Sequence, residues 1–364
     1  MPTHHKDYCR MSSDISAQLQ EAVQTAAAQQ IPLKIVGGNS KAFYGRATAG
    51  QILAVAEHQG IVSYDPSELV ITARAGTTLQ ELSQTLAAQK QYLAFEPPHF
   101  GKTATWGGTI ACGLSGPARP YQGAVRDFVL GVKCLNGNGE ILRFGGQVMK
   151  NVAGYDVSRL MVGALGTLGV LLEISCKVLP LPAAEVTLVK PVNSEAEALE
   201  QMIFWGNQTV PLTASCFDGE KLWLRLSGIA IRTAQQRISA EIWSEGSQFW
   251  LDLREQRLPF FTVAGPPIWR LSVPLTTPPL DFSGEQQLIE WGGYLRWLRS
   301  DLPAETIRNI VAQVGGHATL FSGGDRASEV FHPLAKELEQ LQRRLKAQFD
   351  PRMILNPRRM TTNW

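Results

Sequence analysis

The tripeptide Gly101-Lys102-Thr103 has the composition that closes a nucleotide-triphosphate P-loop, with a lysine for the terminal phosphates and a hydroxyl for the metal ion. Such a loop also needs glycine five positions before Gly101, because that first turn wraps backbone N–H groups around the phosphates. The position holds Glu96, whose charge would repel a triphosphate. Gly163, Gly166 and Gly169 fail the dinucleotide test in a different way. Their spacing is G-x-x-G-x-x-G rather than G-x-G-x-x-G, and they precede a strand instead of opening a helix.

Taken together, the glycine clusters suggest another chemistry. Gly37-Gly38-Asn39-Ser40, Gly76-Thr77-Thr78 and Trp106-Gly107-Gly108-Thr109, the last followed by Gly113 and Ser115-Gly116, each sit after or within a strand-like segment. Successive exposed N–H groups in such turns make anion nests, and glycine permits the dihedrals and close approach that a nest requires. Three nests are expected to neutralise a pyrophosphate chiefly with backbone dipoles, which accounts for the few lysines beside them.

The elements that must carry these turns can be read from periodicity. Ile15, Leu19, Ala22, Val23 and Ala26 recur on one helical face, Pro32 stops the helix, and LKIVGGNS reads as a buried strand ending in a glycine turn. LVITARAG repeats the strand and turn, and TTLQELSQTLAAQ is a helix with Thr78 three residues before Glu81 as a capping box. Asn136-Gly137 and Asn138-Gly139 between two β-rich runs predict a hairpin. The segment from Val157 then gives a short helix, a glycine-rich bend and a long strand, and the Pro180 and Pro182 region marks a boundary. From residue 185 the texture changes: seven of the nine tryptophans occur before residue 313, Leu222, Leu224 and Leu226 alternate, and TAQQRISAEIW and IEWGGYLRWLRSDL read as helical. The expected organisation is an N-terminal extension 1–14, a ligand-binding domain 15–184, a separate α+β cap 185–325, and a C-terminal segment 326–364. That last segment holds an amphipathic helix with Phe331, Leu334, Leu338, Leu341, Leu345 and Phe349 on one face.

Composition narrows the classes. The 364 residues carry 34 basic and 32 acidic side chains, a formal charge of +2, which leaves no cationic excess to track a nucleic-acid backbone. The five cysteines are scattered without a Cys-x-x-Cys pair, as expected in a reducing compartment and against a zinc or iron–sulfur site within the chain. The first residues lack the apolar core of a signal peptide, and the most apolar run, LMVGALGTLGVLL, is shorter than the ~20 residues that span a bilayer. Met11 serves as well as Met1 as a start. A cytoplasmic chain is expected.

The ordered set IVGGNSKAFYGR, ITARAGTTLQEL, TATWGGTIACGLSGPARPYQGAVRDFVLG, KNVAGYDVSRLMVGALGTLGVL and FDPRMILNP resembles FAD-binding oxidoreductases of the vanillyl-alcohol-oxidase type. Within that family, the Gly-Gly-Asn-Ser-Lys and Gly-Pro-Ala-Arg-Pro variants are most similar to FAD-binding subunits of bacterial glycolate oxidases. The resemblance implies an α+β fold: a two-subdomain FAD-binding domain with an inserted α+β cap, and a last segment that returns to the flavin. It implies that Gly37, Gly38, Asn39, Ser40 and Lys41, the turn at Gly76 and Thr77, and Thr105, Trp106, Gly107, Gly108, Thr109, Gly113, Ser115 and Gly116 line the pyrophosphate and ribityl chain. Gly166, Gly169 and Val170 would border the adenine or ring side, and Asn356 would approach the isoalloxazine. Family members that tether FAD often use a histidine in the first glycine loop; here Gly-Gly-Asn-Ser implies non-covalent FAD. The resemblance also implies, as partners, a larger homologous flavoprotein subunit and an iron–sulfur subunit, and peripheral contact with the inner membrane face through them.

The catalytic relatives carry a histidine-rich metal and substrate motif in the cap, whereas this chain offers GGHATLF with His317 alone, so no metal is expected. Oxidising a 2-hydroxy acid such as glycolate needs a cation for the carboxylate, a base for the hydroxyl proton and the flavin as acceptor. Lys150 and Arg358 are the candidate cations and His317 the candidate base, each with an ordinary structural alternative: a Lys150–Asp156 pair, a solvated Arg358-Arg359 tail, a satisfied histidine. Three functions stay open: an electron-transferring subunit of a glycolate-oxidising complex, an assembly subunit with structural FAD, and a standalone flavoenzyme acting on another alcohol or hydroxy acid.

Overall fold

The computed structural model describes residues 12–146 and 156–364; Lys150 and most of KNVAGYD lie outside them. The N-terminal helix, Ser16–Gln29, buries Leu19, Val23 and Ala26 and ends on Gln30 in the left-handed region, two residues before Pro32. Strand Leu33–Val36 pairs in parallel with Gln51–Ala54. A five-stranded antiparallel sheet follows, in the order Ile61–Asp65, Val70–Arg74, Val170–Lys177, Val129–Leu135, Ile141–Gly145. Helix Leu79–Ala87 covers it with Leu79, Leu82 and Leu86, and begins where the Thr78 hydroxyl accepts from the Glu81 N–H at 3.1 Å. The Asn136 side chain closes the hairpin, accepting from Asn138 N and Glu140 N.

The cap is one eight-stranded antiparallel sheet whose strands all fall between Glu185 and Ser322. Both faces are covered. Leu222, Leu224 and Leu226 pack under the helices Glu195–Gly206 and Ile231–Ile238, while Trp223 and Trp297 on the opposite face join a core that includes Tyr44, Leu114 and Leu165 of the first domain.

Three expectations change. TAQQRISAEIW is helical only as far as Ile238; Ser239 turns left-handed and Glu241–Ile242 is a strand paired with Leu188 and Val189. IEWGGYLRWLRSDL is not helical: Gln286–Glu290 and Leu295–Arg299 are paired strands joined at Trp291–Gly293. Gly292 and Gly293 adopt φ of 69° and 107°, which turns the chain back, and the apolar run reads without alternation because Leu295–Arg299 is buried on both faces. The C-terminal helix forms over Lys336–Phe349, but Leu334, Leu338 and Leu341 face outward at 40, 45 and 53 % exposure. The helix turns a different side inward, led by Lys346.

Lys346 is 1 % exposed and Asp350 is 0 %. The ammonium donates to Asp350 Oδ2 at 2.5 Å and to the carbonyls of Thr167 and Leu355 at 2.7 and 2.8 Å, which uses all three of its protons. Asp350 in turn accepts from Ile354 N and Leu355 N, so the chain after the helix is wrapped around one ion pair. Burial pulls the Lys346 ammonium down from its usual range and Asp350 opposes that shift. Removing one partner leaves an uncompensated buried charge. Lys346→Met is therefore expected to cost about 3–5 kcal/mol in urea unfolding; a midpoint equal to the parent's would show that the pair contributes nothing.

Candidate functional site

The three glycine clusters form one structure because their backbones touch. A Cβ added at Gly38 would lie 1.4 Å from the Thr103 carbonyl oxygen, and Thr103 Oγ1 donates to Gly38 O at 2.6 Å. Thr105 caps helix Trp106–Cys112; its hydroxyl accepts from Gly108 N at 3.3 Å and from Gly38 N at 3.4 Å. Behind them, Gly107 N donates to Ala75 O and Trp106 N to Thr77 O, while Gly76 packs onto the backbone of Val55 and Ala56 too closely to admit a side chain.

These turns open into a cavity of ≈ 290 Å³. Of the anticipated residues, Gly37, Gly38, Asn39, Ser40, Lys41, Thr105, Gly107, Gly108, Gly166, Gly169 and Asn356 line it. Gly76, Thr77, Trp106, Thr109, Gly113 and Val170 do not; Trp106, for one, is fully buried with its indole N–H on Ile174 O. Ser115 and Gly116 line a second cavity instead.

Lys34, Thr48, Cys112, Leu165 and Arg359 also line the main cavity and were not anticipated. Lys34, Lys41 and Arg359 are its charged residues, so two cations besides the anticipated Lys41 accompany the nests, and among the described residues no carboxylate lines the cavity with them. Lys41 is buried, with its ammonium on the His99 carbonyl at 3.3 Å; burial pulls its pKa down, while Cys112 and Glu255 oppose that. The Arg359 guanidinium is held by the carbonyls of Ala42, Tyr44 and Arg46. Thr48 Oγ1 is buried without a partner among the described residues. Asn356 closes one wall: its Oδ1 accepts from Ile35 N at 2.8 Å, its Nδ2 donates to Leu165 O at 2.7 Å, and Gly166 lies against it with no room for a Cβ. A cationic, glycine-walled cavity with an unused hydroxyl suits an elongated diphosphate-bearing ligand.

The cap meets this domain on both flanks of the Phe100–Gly116 stretch. Glu96, with φ of 47°, pairs with Arg225 of the cap at 2.9 Å. The Glu255 carboxylate accepts from His99 N and Phe100 N, and the Trp291 indole donates to Gly116 O at 3.0 Å. Between these contacts lies the second cavity, ≈ 30 Å³, lined among others by Arg254, Arg270, Glu290, Trp291 and Trp297. Glu290 is 5 % exposed and accepts from the Trp297 indole at 2.6 Å. Burial pushes its carboxyl up to about 7, against the Trp297 hydrogen bond and the positive charge of Arg270.

The catalytic candidates are not brought together. Lys150 lies outside the described residues, and Arg358 is exposed with φ of 59° while its neighbour Arg359 turns into the cavity. His317 is exposed at the start of strand His317–Ser322, the outermost strand of the cap sheet; it shares a face with Arg270 but lines neither cavity. Nothing local in the sequence distinguishes Arg359 from Arg358. Arg270 and Glu290 lie on strands whose runs read as core.

Residues 14–145 match the FAD binding domain family. The chain is 49% identical over 349 residues to glycolate oxidase subunit GlcE of Escherichia coli (strain K12), covering 95% of this chain and 97% of that protein. It is 31% identical over 176 residues to glycolate oxidase subunit GlcD of Bacillus subtilis (strain 168), covering 47% and 37% of the two chains. Among solved structures, an alkyldihydroxyacetonephosphate synthase superposes with a TM-score of 0.64 at 16% identity over 95% of this chain and 75% of that one, a likeness of fold.

The Glu290 carboxyl is held neutral well above its ordinary range, so its contribution to stability is present below the unfolded value and is lost as pH rises through the folded one. From about pH 5 to about pH 8 the parent is expected to lose melting temperature relative to Glu290→Gln. Parallel pH profiles for the two would show that the carboxyl is charged throughout.

Proposed function

We propose a role that starts from one fact: the chain belongs to the GlcE family of glycolate oxidase subunits. It binds FAD, and the main cavity is where it does so, without a covalent bond; the chain serves as the FAD-binding subunit of a complex that oxidises glycolate or a similar 2-hydroxy acid. The observation that carries the placement is the cavity wall itself, in which Lys34, Lys41 and Arg359, without a carboxylate among the described residues, line the same space as the Gly37–Ser40 turn and Gly107–Gly108. FAD, when bound, supplies the two-electron acceptor for such an oxidation. This chain's own residues then have distinct tasks. Backbone N–H groups of the Gly37–Lys41 loop other than that of Gly38, and the ammonium of Lys41, hold the diphosphate, Asn356 fixes the wall between Ile35 and Leu165, and the cap excludes water from the Phe100–Gly116 side.

The remainder of the assignment is cytoplasmic location and assembly with a larger flavoprotein subunit and an iron–sulfur subunit. The GlcE and GlcD names of the two relatives, which mark glycolate oxidase as a multi-subunit enzyme, support assembly with other subunits; the iron–sulfur partner and the location rest on the resemblance alone. No helix among the described residues is long and apolar enough to cross a membrane.

A second reading, an assembly subunit whose FAD is structural, is favoured by the placement of His317 and Arg358 outside both cavities. Anaerobic glycolate separates the two. Bleaching of the flavin absorbance of the isolated chain is expected if it turns over by itself; a structural role predicts no bleaching of the isolated chain together with loss of the complex's activity when the chain is deleted.

The cavity is tested by two glycines. A Cβ at Gly108 meets only Thr105 Oγ1, at 3.1 Å, whereas one at Gly38 strikes the backbone of Thr103. Gly108→Val is expected to fold with its melting profile little changed and to lose flavin absorbance after gel filtration, while Gly38→Val loses the fold as well. A folded, fully flavinated Gly108→Val protein would place the ligand elsewhere.

A further inference from the structure

The second cavity contains an unusual arginine. The buried Arg46, Arg225, Arg296 and Arg299 all end on carbonyl or carboxylate oxygens. The Arg270 guanidinium donates no hydrogen bond to any described residue and has no carboxylate within ion-pair distance, although it lines this cavity from the strand next to the edge of the cap sheet, against the first domain. Its guanidinium lies 5.1 Å from the centre of the Trp291 ring, and a second guanidinium, that of Arg119 from the Gly-Pro-Ala-Arg-Pro turn, lies 4.5 Å from the same ring. The Arg119 side chain also makes no hydrogen bond to a described residue, and burial and the charge of Arg270 both disfavour its positive charge. Glu290 favours the charge of Arg270 from across the cavity and Asp127 that of Arg119, but burial opposes both charges and neither guanidinium is hydrogen-bonded to an anion, which leaves the fork of Arg270 open to one.

We propose that this cavity is a binding site for a two-carbon carboxylate, with the Arg270 guanidinium receiving the carboxylate and Glu290 meeting the polar group on the adjacent carbon. Arg270 presents the planar fork that matches a carboxylate in two parallel hydrogen bonds. Glu290 lines the same cavity; one of its oxygens is occupied by the Trp297 indole and the other accepts from no described residue. The space limits the ligand. At ≈ 30 Å³ the cavity holds about two or three water-sized atoms. Bonded carbons sit about 1.5 Å apart, roughly half the spacing of waters, so a two-carbon acid fits and a longer side chain on the second carbon meets Trp291, Trp297 or Phe100.

The proposal rests on the reading of the chain as a 2-hydroxy-acid flavoprotein, and the two are tested separately. Oxalate, a two-carbon carboxylate with no hydrogen to give up, is titrated by equilibrium dialysis against the flavinated protein, with flavin absorbance recorded in the same samples. One saturable site per chain that glycolate displaces is expected. Its affinity should fall at least tenfold in Arg270→Met and less in Arg270→Lys, with flavin content and melting temperature kept. D-Lactate, one carbon longer, should displace oxalate at least tenfold less well than glycolate does. Absence of saturable oxalate binding to a flavinated protein, equal affinity in Arg270→Met, or equal displacement by D-lactate would overturn the proposal. Loss of flavin from the parent protein would instead strike at the FAD reading and leave the arginine site to be measured on its own.

Discussion

One buried ion pair governs how the ligand cavity is closed. Lys346 and Asp350 are a turn apart at the end of the last helix, and between them they collect the carbonyls of Thr167 and Leu355 and the amides of Ile354 and Leu355. Asn356 follows directly and is thereby delivered to the edge of strand Leu33–Val36, where its side chain bridges Ile35 to Leu165. The pair also fixes the opposite side: Gly137, in the hairpin turn, lies so close to Asp350 that a Cβ there would come within 2.3 Å of its carboxylate. A charged pair in a dry site offers little net stability over apolar residues of the same size. What it gives here is a single register for the returning segment, on which the positions of Asn356 and Arg359 depend.

The cap is positioned by a different logic. Its contacts with the first domain converge on the flanks of Phe100–Gly116, through Glu96–Arg225, Glu255 with the amides of His99 and Phe100, and Trp291 with Gly116. The same segment supplies the wall of the main cavity through Thr105, Gly107 and Gly108. One stretch of chain thus couples the two cavities: its backbone faces one, and its two ends carry the lid over the other. Glu96, which removes the triphosphate reading of Gly101-Lys102-Thr103, has its structural purpose in this coupling, and Lys102 and Thr103 fall outside the lining of either cavity.

What the sequence makes legible is what depends on nearby residues. The Thr78 cap, the Asn136-Gly137 hairpin and the glycine turns are local demands of backbone geometry, and they can be recognised without knowing what surrounds them. The hairpin Gln286–Arg299 is not legible in this way, since a strand buried on both faces carries no alternation and its turn glycines sit within an apolar run. The outward face of the last helix fails for a related reason: its leucine stripe announces a buried side, but an ion pair with partners far along the chain decides the rotation. Within the candidate site, the glycines are visible in sequence, whereas Thr48, Arg359, Arg270 and Glu290 reach the cavities only through pairings that no spacing encodes.

The Asn356–Ile35 hydrogen bond joins residues 321 positions apart, and the whole eight-stranded cap lies between them. During synthesis the glycine turns, the five-stranded sheet and the cap all leave the ribosome before the wall of the main cavity can be completed. The chain therefore passes through a long interval in which both lobes can be compact while the cavity stays open along one side. The wall of that cavity is among the last parts of the molecule that can be completed.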